Sequence, residues 1–298
     1  MEIRQLEYFM AVATEMNFSR AAQQIHVVQS ALSVAVSKLE KELGVELFDR
    51  SRQKIRITPA GETFREHARR VIQTAQLAKN SISDYRGELT GTIEFGSLIS
   101  FGELDLPKIL GEFHRNHPLV RIRLRQKQAQ TGLSSYLSAI ADGALDLALV
   151  SQPDHCPPRI TMHKLCQEPI LFVCRPDHPL AQHDQLDISE LAEEDLISWP
   201  TEFGLRRLID NMFAEAGITP RILYELAADF SLAARLVQHS LGSAFMPASE
   251  TRHHPGLRAM PLRQKPTWSI HLAWSSHAQG PASTKLAQQI LASAALLR

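Results

Sequence analysis

The chain has 298 residues, 44% hydrophobic and 21% charged, and its 32 Lys and Arg balance 32 Asp and Glu. This is ordinary for a folded soluble protein and leaves room for two or three domains. The chain has no apolar run of the ~18–20 residues a membrane span needs. It also lacks a leader pattern at Met1-Glu2-Ile3-Arg4-Gln5, and its three cysteines are too few for a disulfide framework, so a cytoplasmic protein is expected.

Charge is unevenly placed. Through Arg86 there are 13 Lys and Arg against 10 Asp and Glu; beyond it there are 19 against 22. The first 87 residues are helical in pattern and hold only Gly44, Gly61 and Gly87. A first helix carries Leu6, Phe9, Met10 and Ala13 on one face. A second is expected to start at Ser19 as N-cap and to run through Ala21, Ala22 and Ile25. A third buries Leu32, Val36, Leu39 and Leu43, and its opposite face shows Gln29, Ser30, Ser33, Val34, Ser37, Lys38 and Lys41. A narrow apolar stripe with a small, polar outer face suits the major groove of DNA. The same pattern fits an ordinary surface helix, and this helix alone does not choose between them. Next, Arg50, Arg52, Lys54 and Arg56 fall on alternate positions, with Ile55 and Ile57 turned the other way. The spacing predicts a short hairpin whose cations lie on phosphates or in the minor groove, or else form a solvated strand edge.

Pro59 opens a long helix to about Tyr85. Phe64, Ala68, Val71, Ala75, Ala78, Ile82 and Tyr85 follow a heptad seam, which favours a helix–helix contact with a second subunit. Gly87-Glu-Leu-Thr-Gly91 breaks the pattern. From there, strands at Thr92–Phe95, Val120–Leu124, Leu145–Val150, Ile170–Cys174, Ile222–Leu226, Ser243–Met246 and Ser269–Trp274 alternate with helices near Asp105–Asn116, Leu133–Ala141, Leu205–Ala216, Phe230–His239 and Ala282–Leu297. Such alternation predicts an α/β domain with largely parallel strands.

The stretch from Leu6 to Gly61 closely resembles the LysR-type transcriptional regulators. The matching residues are Leu6-Glu7-Tyr8-Phe9, Asn17-Phe18-Ser19-Arg20-Ala21-Ala22, Gln29-Ser30-Ala31-Leu32-Ser33, Leu39-Glu40, Leu43-Gly44, Leu47-Phe48-Asp49-Arg50 and Thr58-Pro59-Ala60-Gly61, in order and at the family's spacing. Further along, Asp142-Gly143-Ala144-Leu145-Asp146-Leu147, His178-Pro179-Leu180-Ala181 and Leu241-Gly242-Ser243-Ala244-Phe245-Met246-Pro247 match less specifically. The resemblance implies a winged helix-turn-helix over 1–58, a linker and dimerisation helix over 59–90 and an effector-binding domain over 91–298. It places Gln29, Ser30, Ser33, Val34, Ser37 and Lys38 near DNA and Arg50 and Arg52 on the wing. It implies a homodimer, assembled as a dimer of dimers, bound to double-stranded operator DNA, with RNA polymerase as a partner if the protein is an activator. Two departures stand out. Val28 occupies a position where the family usually has a capping Ser or Thr, leaving Ser30 as a substitute cap. Val34 occupies a position commonly Arg or Gln, and offers apolar contact only, for instance to a thymine methyl.

The effector domain of the family is similar to periplasmic solute-binding proteins: two α/β lobes, here about 91–163 with 267–298, and 164–266, joined by crossing strands. Ligands of open α/β sheets lie beyond the carboxyl ends of strands. The strand ends here are Ser97–Phe101, Gln128–Thr131 and Val150–Pro153 in one lobe, and Trp199–Arg206, Ala227–Phe230 and Met246–Pro247 in the other. Ser100, Thr131 and Asp229 can supply hydrogen bonds; Leu98, Phe101, Phe203 and Phe230 can supply apolar walls. Many family members sense small or aromatic acids, so such an acid is the expected small-molecule effector, with Ser100 as a first-lobe anchor. Catalytic motifs are missing (no Gly-x-Ser-x-Gly, no phosphate-binding Gly-Lys loop, no His-Glu-x-x-His, no Cys-x-x-Cys), so neither an enzyme nor a cofactor is expected. His155, Cys156, His163 and Cys166 match no standard zinc spacing. The alternative is a redox- or metal-responsive regulator of the same architecture using Cys156, Cys166 or Cys174.

Overall fold

The computed structural model describes residues 1–50, 55–84, 89–98, 100–125, 132–151, 157–201, 203–227, 229–276 and 280–297. Arg52, Thr131 and Cys156 lie outside them, as does the side chain of Ile82. The chain divides into two compact units, Met1–Gly87 and, apart from the turn Asp142–Ala144, Glu88–Arg298.

The first unit is built from α1 (Ile3–Glu15), α2 (Phe18–Gln24), α3 (Gln29–Leu43), the two-residue strands β1 (Phe48–Asp49) and β2 (Arg56–Ile57), and α4 (Pro59–Asp84). Its helices bury one stripe each: Leu6, Phe9 and Val12 from α1, Ala21 and Ala22 from α2, Leu32, Val36 and Leu39 from α3. Leu43, expected inside, is 37% exposed, because the chain leaves the core at the end of α3. The N-cap of α2 is Asn17 rather than Ser19: its side chain accepts from Arg20 N at 3.0 Å. Val28 is the N-cap of α3 and makes no side-chain cap, and Ser30, already inside the helix, does not substitute for it. Phe48 of β1 reaches into the helical core, its ring 5.3 Å from Phe9 and 6.0 Å from Phe18. Gly61 lets α4 start against the wing: a Cβ there would stand 2.3 Å from Leu47 O.

The N-terminal part of the expected seam is spent inside this unit. The Phe64 ring meets Phe9 at 5.1 Å, and Ala68 is fully buried in the same cluster. Both pack on α1 of their own chain. Further along α4, Val71 is 43% exposed.

In the second unit the strands are β3 (Gly91–Gly96), β4 (Val120–Arg125), β5 (Leu147–Ser151), β6 (Ile160–Cys174), β7 (Asp195–Ser198), β8 (Arg221–Glu225), β9 (Ser243–Pro247), β10 (Arg258–Pro261) and β11 (Thr267–Ser275). Interleaved helices are α5 (Leu106–Asn116), α6 (Gly132–Ala141), α7 (Gly204–Glu215), α8 (Phe230–Gln238), the short α9 (Ala248–Thr251) and α10 (Pro281–Ala295). One sheet runs β4-β3-β5-β11-β6-β9-β7-β8, with β10 paired to β6. Within each lobe the pairs β3–β4, β3–β5, β7–β8 and β7–β9 are parallel. The two lobes meet through antiparallel pairs made by β6 and β11.

β6 is one 15-residue strand where only Ile170–Cys174 was expected, because its first half is polar and half-exposed and lacks a run of apolar residues. It pairs with β11 from Ile160 to Pro169 and with β9 from Ile170 onward. The handover between lobes therefore falls at Pro169–Ile170, later than residue 164. Leu147, Leu149 and Phe95 fill the first lobe, and Phe172, Phe213 and Phe245 fill the second.

Candidate nucleic-acid interface and ligand cleft

On α3, Gln29, Ser30, Val34, Ser37 and Lys38 are exposed and Ser33 is half-buried. The short polar groups thus stand outward from a helix whose other face is locked into the core.

Arg50 is not a free phosphate contact. Its guanidinium donates to Glu40 Oε2 at 2.7 Å and to Ser37 Oγ at 3.4 Å, and lies 4.8 Å over the Phe18 ring. Glu40, missed by the sequence reading, is the hub. Its Oε1 accepts from Leu47 N at 2.9 Å and Phe48 N at 3.1 Å. One carboxylate thus ties the reading helix, the wing and, through Arg50, α2 together. The signal was the Leu39-Glu40 pair eight residues ahead of Phe48, a spacing no local rule interprets.

In the second unit, Ser97–Phe101 follow β3. Tyr136 of α6 donates to Ser97 O at 2.8 Å, fixing that strand end. Ser100 is buried and its Oγ has no hydrogen-bond partner. Phe101 and Leu98 pack at the edge of the core, and Phe101 O accepts from Cys166 Sγ at 3.9 Å. On the other lobe, Phe203 is the N-cap of α7, and no side chain caps that helix. The Phe203 ring stacks on Trp268 of β11 at 6.0 Å and meets Trp199 at 5.9 Å; Trp199 in turn meets Phe230 at 4.7 Å. Asp229 is occupied as the N-cap of α8, accepting from Leu232 N at 3.0 Å, and Phe230 is fully buried. These two shape the wall behind the aromatic group and do not reach toward a ligand.

A pocket of about 730 Å³ opens where α7 begins. Ser151 at the end of β5, Thr201, Gly204, Arg207 and Asn211 of the second lobe, and Trp268 line it. The backbone of Gly204 approaches so closely that a Cβ would stand 2.8 Å from Ser151 Oγ and 3.4 Å from the Trp268 ring. Trp268 is buried, and its Nε1 lacks a hydrogen-bond partner. Arg206, by contrast, is committed to Asp210 at 2.8 Å and to Trp199 O. The stretches Val150–Pro153 and Trp199–Arg206 pointed to this pocket; Trp268 carried no local signal, since only the β11–β6 pairing brings it here.

The pocket runs along the Gly204–Arg207–Leu208–Asn211 face of α7 from its first turn, where a helix carries the positive end of its dipole; Arg207 adds a cation, and Asp210, which also lines it, is paired with Arg206. The place suits an anion. Nearby, Glu168 of β6 is buried and accepts from Ser249 N at 2.6 Å and Ser249 Oγ at 3.0 Å. Burial pushes its carboxyl above the usual range, and Glu250 and Glu103 push the same way.

Among the described residues, Cys166 and Cys174 do not form a redox pair. Cys166 and Cys174 lie eight residues apart on one strand, about 26 Å at ~3.3 Å per residue, far beyond disulfide reach. Burial raises both above their ordinary value, Cys174 to about 11; a raised thiol is a poor thiolate. Among the described residues, no three His, Cys, Asp or Glu side chains gather as a metal site, and no helix is long and apolar enough to cross a membrane.

Residues 3–62 match the model of a bacterial regulatory helix-turn-helix protein, lysR family, and residues 86–295 match a LysR substrate binding domain. The chain is 34% identical over 279 residues to the HTH-type transcriptional regulator ShiR of Corynebacterium glutamicum (strain R), covering 93% of this chain and 89% of that one. Its fold is similar to a full-length OxyR variant from Pseudomonas aeruginosa, with TM-score 0.76 at 23% identity over 99% of this chain and 95% of that one. It is also similar to full-length CbnR in complex with target DNA, with TM-score 0.67 at 24% identity over 98% and 100%.

Proposed function

Because the chain belongs to the LysR family of transcriptional regulators, we propose that the DNA-binding activity of this protein is controlled by a small organic acid held between the two lobes of its effector domain. The protein is a DNA-binding transcriptional regulator with an effector-binding domain, not an enzyme. What supports an acid is the pocket of about 730 Å³ that begins at the uncapped first turn of α7 and is lined by Arg207 and Ser151, its one lining carboxylate, Asp210, being paired with Arg206.

The carboxylate of the effector sits at that helix start, and its body lies against Phe203 and Trp268. Ser100 and Trp268 Nε1, buried without partners, are donors for a second polar atom of the ligand. A buried donor without a partner costs about 1–3 kcal/mol. A ligand that reaches these first-lobe donors and the start of α7 on the second lobe together only when the lobes are drawn in favours that arrangement, and differential affinity of this kind is what a switch requires. The regulator acts on operator DNA as a homodimer or a dimer of dimers, with Gln29, Ser30, Ser33 and Lys38 at the bases and Arg52 at the backbone.

The test is a calorimetric screen of small carboxylates and their uncharged amides on the full chain. Carboxylates are expected to bind and amides not. Ser151→Ala, which removes the hydroxyl and adds no atom beside Gly204, should weaken the hit about tenfold. Equal binding of acid and amide, or an unchanged Ser151→Ala, overturns the reading.

A further inference from the structure

The base-reading face of α3 is not wholly polar. Val28 at the N-cap is 70% exposed, Val34 is 54% exposed, and Ala31 between them is exposed as well. At spacings of three, these side chains form one inclined ridge along the first turns of the helix. Valines are ordinarily kept from water, and here two of them flank a helix whose remaining outer groups are Gln29, Ser30, Ser33, Ser37 and Lys38. The position otherwise open to a capping hydroxyl is given to Val28, which leaves the helix start without a side-chain cap. Among the described residues of the first unit, none buries Val28 or Val34.

We propose that the Val28–Ala31–Val34 ridge is a specificity element that reads thymine C5-methyl groups in the major groove. In that groove, the thymine methyl is the one apolar feature among donors and acceptors. Methyl-bearing side chains beside it gain contact, whereas beside cytosine or a purine they leave polar base edges unpaired. Lys38 and Lys41, exposed further along the same helix, match the charge of the phosphates that border the groove. Val28 and Val34 are about 9 Å apart along a helix rising ~1.5 Å per residue. Against ~3.4 Å per base pair, this places the two methyls two or three base pairs apart in each half-site. The proposal rests on α3 lying in the major groove, and its test separates the two claims.

Duplexes bound by the full-length protein are selected from a random pool, and each selected thymine is then replaced by deoxyuridine, which differs only in lacking the methyl. Loss of one methyl contact is expected to weaken binding about fourfold at two positions per half-site. Val34→Ser should abolish the thymine-over-uracil preference at one position, and Val28→Ser at the other. Val28→Ser supplies the missing cap, so it leaves the helix at least as stable. Should no sequence be enriched, both the groove reading and the ridge fall. Should sequences be enriched while deoxyuridine changes affinity by less than about twofold everywhere, or both variants keep the wild-type preference, only the ridge falls.

Discussion

Glu40 shows how much one side chain arranges in the head. Its two oxygens satisfy the backbone N–H groups of Leu47 and Phe48, both fully buried, and hold Arg50 over Phe18. Glu40→Ala strands two buried donors and frees the guanidinium, and should cost about 2 kcal/mol of head stability. Glu40→Gln keeps one acceptor and should cost less. Chemical denaturation followed by operator titration checks the pair; equal stability of all three proteins would show that the wing is held by Phe48 packing alone. Glu168 is a carboxylate of a different kind, buried beside Ser249, Glu250, Glu103 and the Cys166 thiol. Its carboxyl in the folded protein lies above its ordinary value of 4.5, with burial as the main cause. The folded state therefore holds its proton where the unfolded chain has lost it. Stability should fall as pH rises from about 4.5 through the raised value, and level off above it. Glu168→Gln should flatten that part of a melting-temperature profile; an identical profile in the variant would assign the slope to another group.

At the scale of elements, α4 serves two partners. Phe64 and Ala68 belong to the head, and Val71 on the same face is exposed. A heptad pattern read from sequence cannot separate these, since a stripe that packs on α1 and one that packs on a second subunit have the same period. Val71→Glu, on an exposed position, should leave the head folded while splitting the dimer and removing high-affinity operator binding. Sedimentation at micromolar concentration checks it, and an intact dimer would move the interface off this helix. The strands differed in legibility for a related reason. β5 and β9 are mostly apolar runs and were found, as was β3 with its alternating Ile93 and Phe95, whereas the first half of β6 has the burial pattern of a polar edge. Its strand conformation comes from pairing with β11, which no local pattern encodes.

Over the whole molecule, the sequence by itself determined the reading unit, the alternation of strand and helix, and the strand ends around which a cleft is built. These depend on local periodicity and on short motifs at fixed spacing, such as Leu39-Glu40 and Leu47-Phe48-Asp49-Arg50. Tertiary structure alone decided which side chains remain free at those places. Asp229 and Arg50, both eligible by type, are committed to a cap and to a carboxylate, while Ser151, Gly204 and Trp268 from three distant stretches line one pocket. The physical reason is that a polar side chain is available to a ligand only if no nearer group has satisfied it. Which group is nearer depends on long-range strand pairing, here β11 laid against β5 and β6, and not on residue type.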